Sequence, residues 1–112
     1  MALLTKALRE QLLKNGRVSA EKETDHRPVV KLFTPDAQAT WLLSELSADG
    51  DTAFGLCDLG HECPELGYVL LSELAEIRGF LGLHIERDRG FTATKTLTAY
   101  AKDAREHGRI VT

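Results

Sequence analysis

The chain predicts an α+β fold: an antiparallel sheet of about four to six strands, an N-terminal helix, a short inserted helix and a C-terminal helix. Three observations predict it. Apolar residues recur at helical spacing near both ends, β-type runs punctuated by turn residues fill the middle, and the links between neighbouring runs are too short for parallel crossovers. At 112 residues the chain is one domain, 1–112, able to enclose one modest core.

Each element has a local reason. Thr5 suits an N-cap, Leu4, Leu8 and Leu12 form an apolar stripe broadened by Leu3, Ala7 and Leu13, and Gly16 reads as the stop. Lys14 complements the negative end of the helix dipole. The polar stretch RVSAEKETDHRP lacks apolar periodicity and reads as a loop, the most mobile part of the chain. Val29–Phe33 reads as a strand ended by Pro35, which has no N–H for a ladder. Thr40–Ser47 and Thr52–Cys57 flank Ala48-Asp49-Gly50-Asp51, and an Asp-Gly turn between such runs signals a hairpin.

Asp58–Gly67 reads as a loop and Leu66–Leu71 as the next strand. Ser72 is placed to cap a helix over Glu73–Arg78, with Gly79 as its stop. Leu83–Asp88 reads as a strand with Leu83, Ile85 and Arg87 on one side and His84, Glu86 and Asp88 on the other. Asp88-Arg89-Gly90 makes a turn, and Phe91–Thr94 reads as a final strand. The last helix, Leu97–His107, buries Leu97, Tyr100, Ala101 and Ala104 and ends at Gly108. The helices are expected on one face of the sheet.

No apolar run approaches the roughly 18 residues of a membrane span. The first residues mix acidic and basic side chains into the apolar pattern, unlike a signal peptide. A cytoplasmic location follows as the expectation, with Cys57 and Cys63 as free thiols.

Charge is laid out in blocks. Residues 1–31 and 78–112 each hold seven Lys/Arg against four Asp/Glu, whereas 32–77 hold nine Asp/Glu and no Lys or Arg. The net pattern is +3, −9 and +3. Either the flanks fold over the centre and offset its charge, or the centre presents an acidic face to a basic partner. Nucleic-acid binding is disfavoured, since no basic stripe interleaved with aromatics is present.

The cluster nearest to a site is Cys57, Asp58, His61, Glu62 and Cys63, with His84 farther on. Thiolate and imidazole are good zinc ligands, but C-x3-H-x-C is not a standard spacing and a structural site needs four ligands. The ordinary reading of Cys57, at the end of an apolar strand, is a buried, inert thiol. Cys63 and His61 lack an orienting carboxylate or oxyanion donors for nucleophilic chemistry. Glu86 and Asp88 share one side of their strand and offer paired carboxylates. The structural alternative is a polar network in which Arg78 and Arg87 hold backbone or acid groups while Glu86 and Asp88 are solvated or cap the turn. Asp36 and Glu45 are spaced like nuclease acids, but the lysine such sites need is missing. Trp41 and Tyr68 read as core or sheet-face aromatics.

Nearly the whole chain before Leu97 resembles a family of uncharacterised bacterial proteins, the domain of unknown function 2958. The matching pieces, in order, are FTPD at Phe33–Asp36, Trp41, Phe54-Gly55-Leu56, ELGY at Glu65–Tyr68, SEL at Ser72–Leu74 and IRG at Ile77–Gly79. LGL at Leu81–Leu83, IERD at Ile85–Asp88 and Phe91 complete the match. The resemblance implies a cytosolic accessory protein carried by plasmids or other mobile elements, and it brings no reaction, cofactor or catalytic residue. Cys57, His61 and Cys63 are outside its pattern.

The leading expectation is a non-enzymatic module that binds a protein partner through Asp49, Asp51, Asp58, Glu62 and Glu65, without a cofactor. One alternative is a metal-assisted hydrolase using Glu86, Asp88 and the Cys57–Cys63 loop. Another is a nucleic-acid-associated protein using the basic termini. A free sheet edge would also allow self-association.

Overall fold

In the computed structural model, which describes residues 3–112, Thr5 opens the first helix as predicted: its Oγ1 accepts the Leu8 N–H at 3.2 Å. Helix α1 (Lys6–Glu21) then runs through Gly16 instead of stopping there. The glycine marks a crossing. A Cβ at Gly16 would overlap the Leu46 carbonyl oxygen, so the absent side chain is what lets the helix pass that strand.

The stretch after α1, predicted to be mobile, is tied to the C-terminal helix α3 (Leu97–His107). The Leu97 N–H donates to the His26 carbonyl at 2.9 Å, and the Thr98 amide and hydroxyl both donate to the Asp25 carboxylate. Thr96 occupies the N-cap position without a side-chain cap bond, so Asp25 caps α3 from a distance. Partial burial pushes the Asp25 carboxyl up, but the hydrogen bonds from Thr98 and Thr96 outweigh it and hold the group below its ordinary range.

Five strands form one antiparallel sheet: β1 (Val30–Phe33), β2 (Thr40–Leu46), β3 (Thr52–Asp58), β4 (Glu65–Leu70) and β5 (Glu86–Arg87), in spatial order β4-β3-β2-β1-β5. The β2–β3 hairpin turns at Gly50, which takes a φ of +75°, as the Asp-Gly pair predicts. β4 begins at Glu65 because it pairs with β3 as far as Cys57. The predicted Leu83–Asp88 strand contracts to β5, preceded by an isolated bridge between Arg78 and His84. Phe91–Thr94 is not a strand. Its Phe91 ring lies 6.3 Å from that of Tyr100, and the Thr94 N–H donates to the Tyr100 hydroxyl at 3.0 Å, so α3 takes the contacts a sheet would have taken.

The helices cover both faces, not one. Trp41, Leu43 and Ala53 pack with Leu12 of α1 and with Leu71 and Leu74 of the short helix α2 (Leu71–Glu76). Leu42 and Leu56 pack on Leu97, Tyr100, Ala101 and Ala104 of α3, the four residues predicted to be buried. Two covered faces explain why Trp41, Leu42, Leu43 and Ser44 are buried in succession, where one covered face would leave alternate residues wet.

Helix α2 starts one residue before Ser72, which does not cap it. The Ser72 amide and hydroxyl donate to the Asp51 carboxylate at 2.8 and 2.7 Å. α2 ends at Glu76, and the Arg78 guanidinium donates to the Ala75 and Ile77 carbonyls at its C-terminus. Gly108, at φ +72°, ends α3 as predicted.

Candidate functional site

Among the described residues, none of the nine acids of residues 32–77 closes an ion pair with a Lys or Arg of the basic flanks, although the Arg9 guanidinium donates to the Gly50 carbonyl, between Asp49 and Asp51, at 2.8 Å. The three ion pairs among the described residues are Lys6–Glu10, Lys31–Asp88 and Lys95–Asp103, each closed within or between the flanks. Five of the nine acids are instead held by N–H or O–H donors: Asp36, Glu45, Asp49, Asp51 and Asp58.

This changes the standing of the predicted contact residues. The Asp49 carboxylate accepts from the Thr52 amide, the Asp51 amide and the Thr52 hydroxyl, which hold it down to about 2. Asp51 caps α2. Asp58 is only 4% exposed, and its two oxygens take the Gly60 N–H at 2.9 Å and the Ile110 N–H at 3.0 Å. It clamps the C-terminal tail to β3 and is withdrawn from any contact surface. Glu62 and Glu65 are exposed, Glu62 on a left-handed backbone at φ +62°.

Cys57, His61, Cys63 and His84 are not gathered. Cys57 is half-buried against the α1 side of the core, while His61 and Cys63 are exposed on the loop before β4. Burial pushes the Cys57 thiol up, and the carboxylate of Glu65, its cross-strand partner, adds to the effect. His84 bridges Arg78 just before β5. Among the described residues, no three His, Cys, Asp or Glu side chains stand close enough together to hold a metal ion. Glu86 is exposed, and Asp88 accepts the Gly90 N–H at 2.9 Å while lying 3.7 Å from Lys31. Arg87 donates to the Leu3 carbonyl at 2.6 Å.

Two arrangements stand out that sequence reasoning missed. In the first, Asp36 Oδ2 accepts the Leu81 N–H at 2.6 Å and the Leu83 N–H at 3.3 Å, while Oδ1, buried and without a donor, lies against Gly79. The Gly79 N–H donates to the Leu83 carbonyl and the Gly82 N–H to the Gly79 carbonyl, closing a tight turn. The turn holds Phe80 and Leu81 at 92% and 80% exposure. Glycines at 79 and 82 signal a turn in the sequence, but nothing local says that Phe80 points outward.

The second arrangement is a row across three strands. β1 reaches only as far as the Val30–Leu43 pair, and beyond it the buried Asn15 side chain donates to the Ser44 carbonyl at 3.0 Å. There β2 bulges between Leu43 and Glu45, which brings Glu45 opposite Phe54, and Phe54 is opposite Tyr68. The Phe54 and Tyr68 rings are 5.0 Å apart, and Tyr68 is 71% exposed. The Ser19 hydroxyl donates to Glu45 Oε2 at 2.8 Å, with His26 Nε2 3.1 Å from the same hydroxyl. The acid contacts the serine, not the histidine, so this chain of groups is not arranged to make Ser19 a nucleophile.

Residues 3–111 match the family described as protein of unknown function (DUF2958). No curated protein and no solved structure matches the chain.

Proposed function

We propose, for a chain that belongs to the DUF2958 family, that it is a binding module for another protein and makes its contact through the stretch Leu59–Leu83. One observation carries the reading: Phe80 and Leu81 are held in water by a turn whose backbone is bonded to the Asp36 carboxylate. Large apolar side chains on a well-anchored turn are a contact surface in waiting, because exposing them is unfavourable until something covers them. Leu59, Tyr68, Leu70 and Leu83 are exposed in the same stretch, which also carries Glu62, Glu65, Glu73 and Glu76. Exposed acids of one sign steer a basic partner and select its orientation.

The reading keeps the setting that the resemblance implies, a cytosolic accessory protein of a bacterial mobile element. It moves the contact from Asp49, Asp51 and Asp58, which serve the fold, to the Phe80–Leu81 tip, and keeps the exposed Glu62 and Glu65 as acidic contacts. The test is crosslinked capture from the host cell with the wild-type chain and with Phe80→Asp/Leu81→Asp. The variant is expected to keep the wild-type circular dichroism and melting profile and to lose the proteins that the wild type enriches. An unchanged set of captured proteins would overturn the assignment of the tip.

A further inference from the structure

We propose that the groove between the C-terminal half of α1 and the Glu45–Phe54–Tyr68 row binds a guanidinium group, presented as an arginine side chain of the protein partner. The inference rests on the binding-module reading for its source, and on the groove itself for its chemistry. The groove encloses roughly 400 Å3 and is lined by Ser19, Glu23, Thr24, Glu45, Phe54 and Tyr68 among others. Glu23 and Glu45 are the charged residues of that lining; no Lys, Arg or His contributes to it.

The chemistry points to a flat cation. Tyr68 and Phe54 offer aromatic surface beside a carboxylate, the pairing that attracts a cation through both ring quadrupole and charge. A guanidinium suits it better than an ammonium, since it is planar, stacks on rings and presents forked donors to a carboxylate. Glu45 is prepared for this. The Ser19 hydroxyl fixes one of its oxygens, and the bulge at Ser44 places it in line with the two rings. Without the bulge, continuing the Leu43–Gly55 register would put Ser44 opposite Phe54, and no acid would stand there.

The test is a chemical-shift titration of the full chain with four probes: Nα-acetyl-arginine amide, the lysine and citrulline equivalents, and the peptide Gly-Ala-Arg-Ala-Gly. Saturable shifts at the Ser19, Glu45, Phe54 and Tyr68 amides are expected with the arginine probes, weaker ones with lysine and none with citrulline. Glu45→Gln, which keeps an acceptor for Ser19, should weaken arginine binding roughly tenfold or more. Tyr68→Leu should weaken it while preserving apolar cover. Tighter binding of the peptide than of the amide supports a partner side chain; equal or weaker binding overturns that source in favour of a free guanidinium compound. No saturable shift, or the same response to citrulline, overturns the site. Phe80→Asp/Leu81→Asp separates the two readings: it should abolish partner capture and leave the arginine titration unchanged.

Discussion

The Asp36 carboxylate is seated directly on the Gly79 backbone. A Cβ at residue 79 would stand 2.7 Å from Oδ2 and would overlap Oδ1 and Cγ. Gly79 does not have a positive φ, so its requirement is for space, not for a left-handed backbone. Two members of the motif set, FTPD and IRG, are thereby one structural unit.

Gly79→Ala is expected to expel the carboxylate and to cost about 1–3 kcal/mol, comparable to leaving the Leu81 and Leu83 N–H groups without their acceptor. Asp36→Ala should cost a similar amount for the same reason. The double variant should be less destabilised than the sum, because truncating the Asp36 side chain makes room for the new Cβ. Urea unfolding of the four proteins measures the coupling. Strict additivity would show that the two residues act separately.

Gly16→Ala should reverse the usual sign for a helix. In an exposed helix interior, alanine in place of glycine gains about 1 kcal/mol. Here the methyl would overlap the Leu46 carbonyl oxygen, which belongs to β2 and cannot swing aside. A loss of about 1–3 kcal/mol is expected from overpacking. Arg17→Ala, one position along on the exposed side, is the control and should be near neutral. Comparable midpoints for the two variants would sink the crossing argument.

These glycines also show what was legible in the sequence. The α3 boundaries and its four buried residues came through because the stripe and the Gly108 stop are local. The β2–β3 hairpin came through because Asp49 and Gly50 bond within the turn itself. Gly16 misled because its partner, Leu46, is remote in sequence, so a contact glycine looked like a stop. Ser72 misled in the same way: the capping carboxylate belongs to Asp51, from the preceding hairpin. The acids of the centre were visible as a block, but which of them are consumed by backbone amides depends on long-range bonds such as Asp58 to Ile110. The Glu45–Phe54–Tyr68 row was hidden because a bulge changes the register, and periodicity two carries no mark of it.

Acid should weaken the fold through Asp49. Its carboxyl lies near 3.8 when free and about 2 when folded, so the folded group is the one that resists protonation. A lowered folded value means stability that is fully present above about pH 4 and lost as the pH falls toward 2. The urea midpoint of the wild type should therefore be insensitive to Asp49 between pH 7 and 5 and should drop below that. Asp49→Asn should start lower at pH 7 and show a shallower acid slope. Asp25 and Asp103 are lowered in the same direction, so some slope will survive the substitution. An unchanged slope would mean that the hairpin bonds do not favour the ionised form.

The two cysteines should separate cleanly in reactivity. Only the thiolate attacks an alkylating or disulfide reagent, so a raised thiol is a slow one. Cys63 is exposed, whereas burial and then the Glu65 carboxylate push Cys57 up. With a thiol-specific reagent at pH 8, Cys63 should be modified in a fast phase and Cys57 only slowly, with its rate approaching that of Cys63 in denaturant. Glu65→Gln should speed Cys57 modestly without exposing it, because it removes the charge and keeps the shape of the cross-strand partner. Mass spectrometry of the two cysteine peptides against time reads both rates. Equal rates in the folded chain would place Cys57 in water and contradict its packing against the α1 side of the sheet.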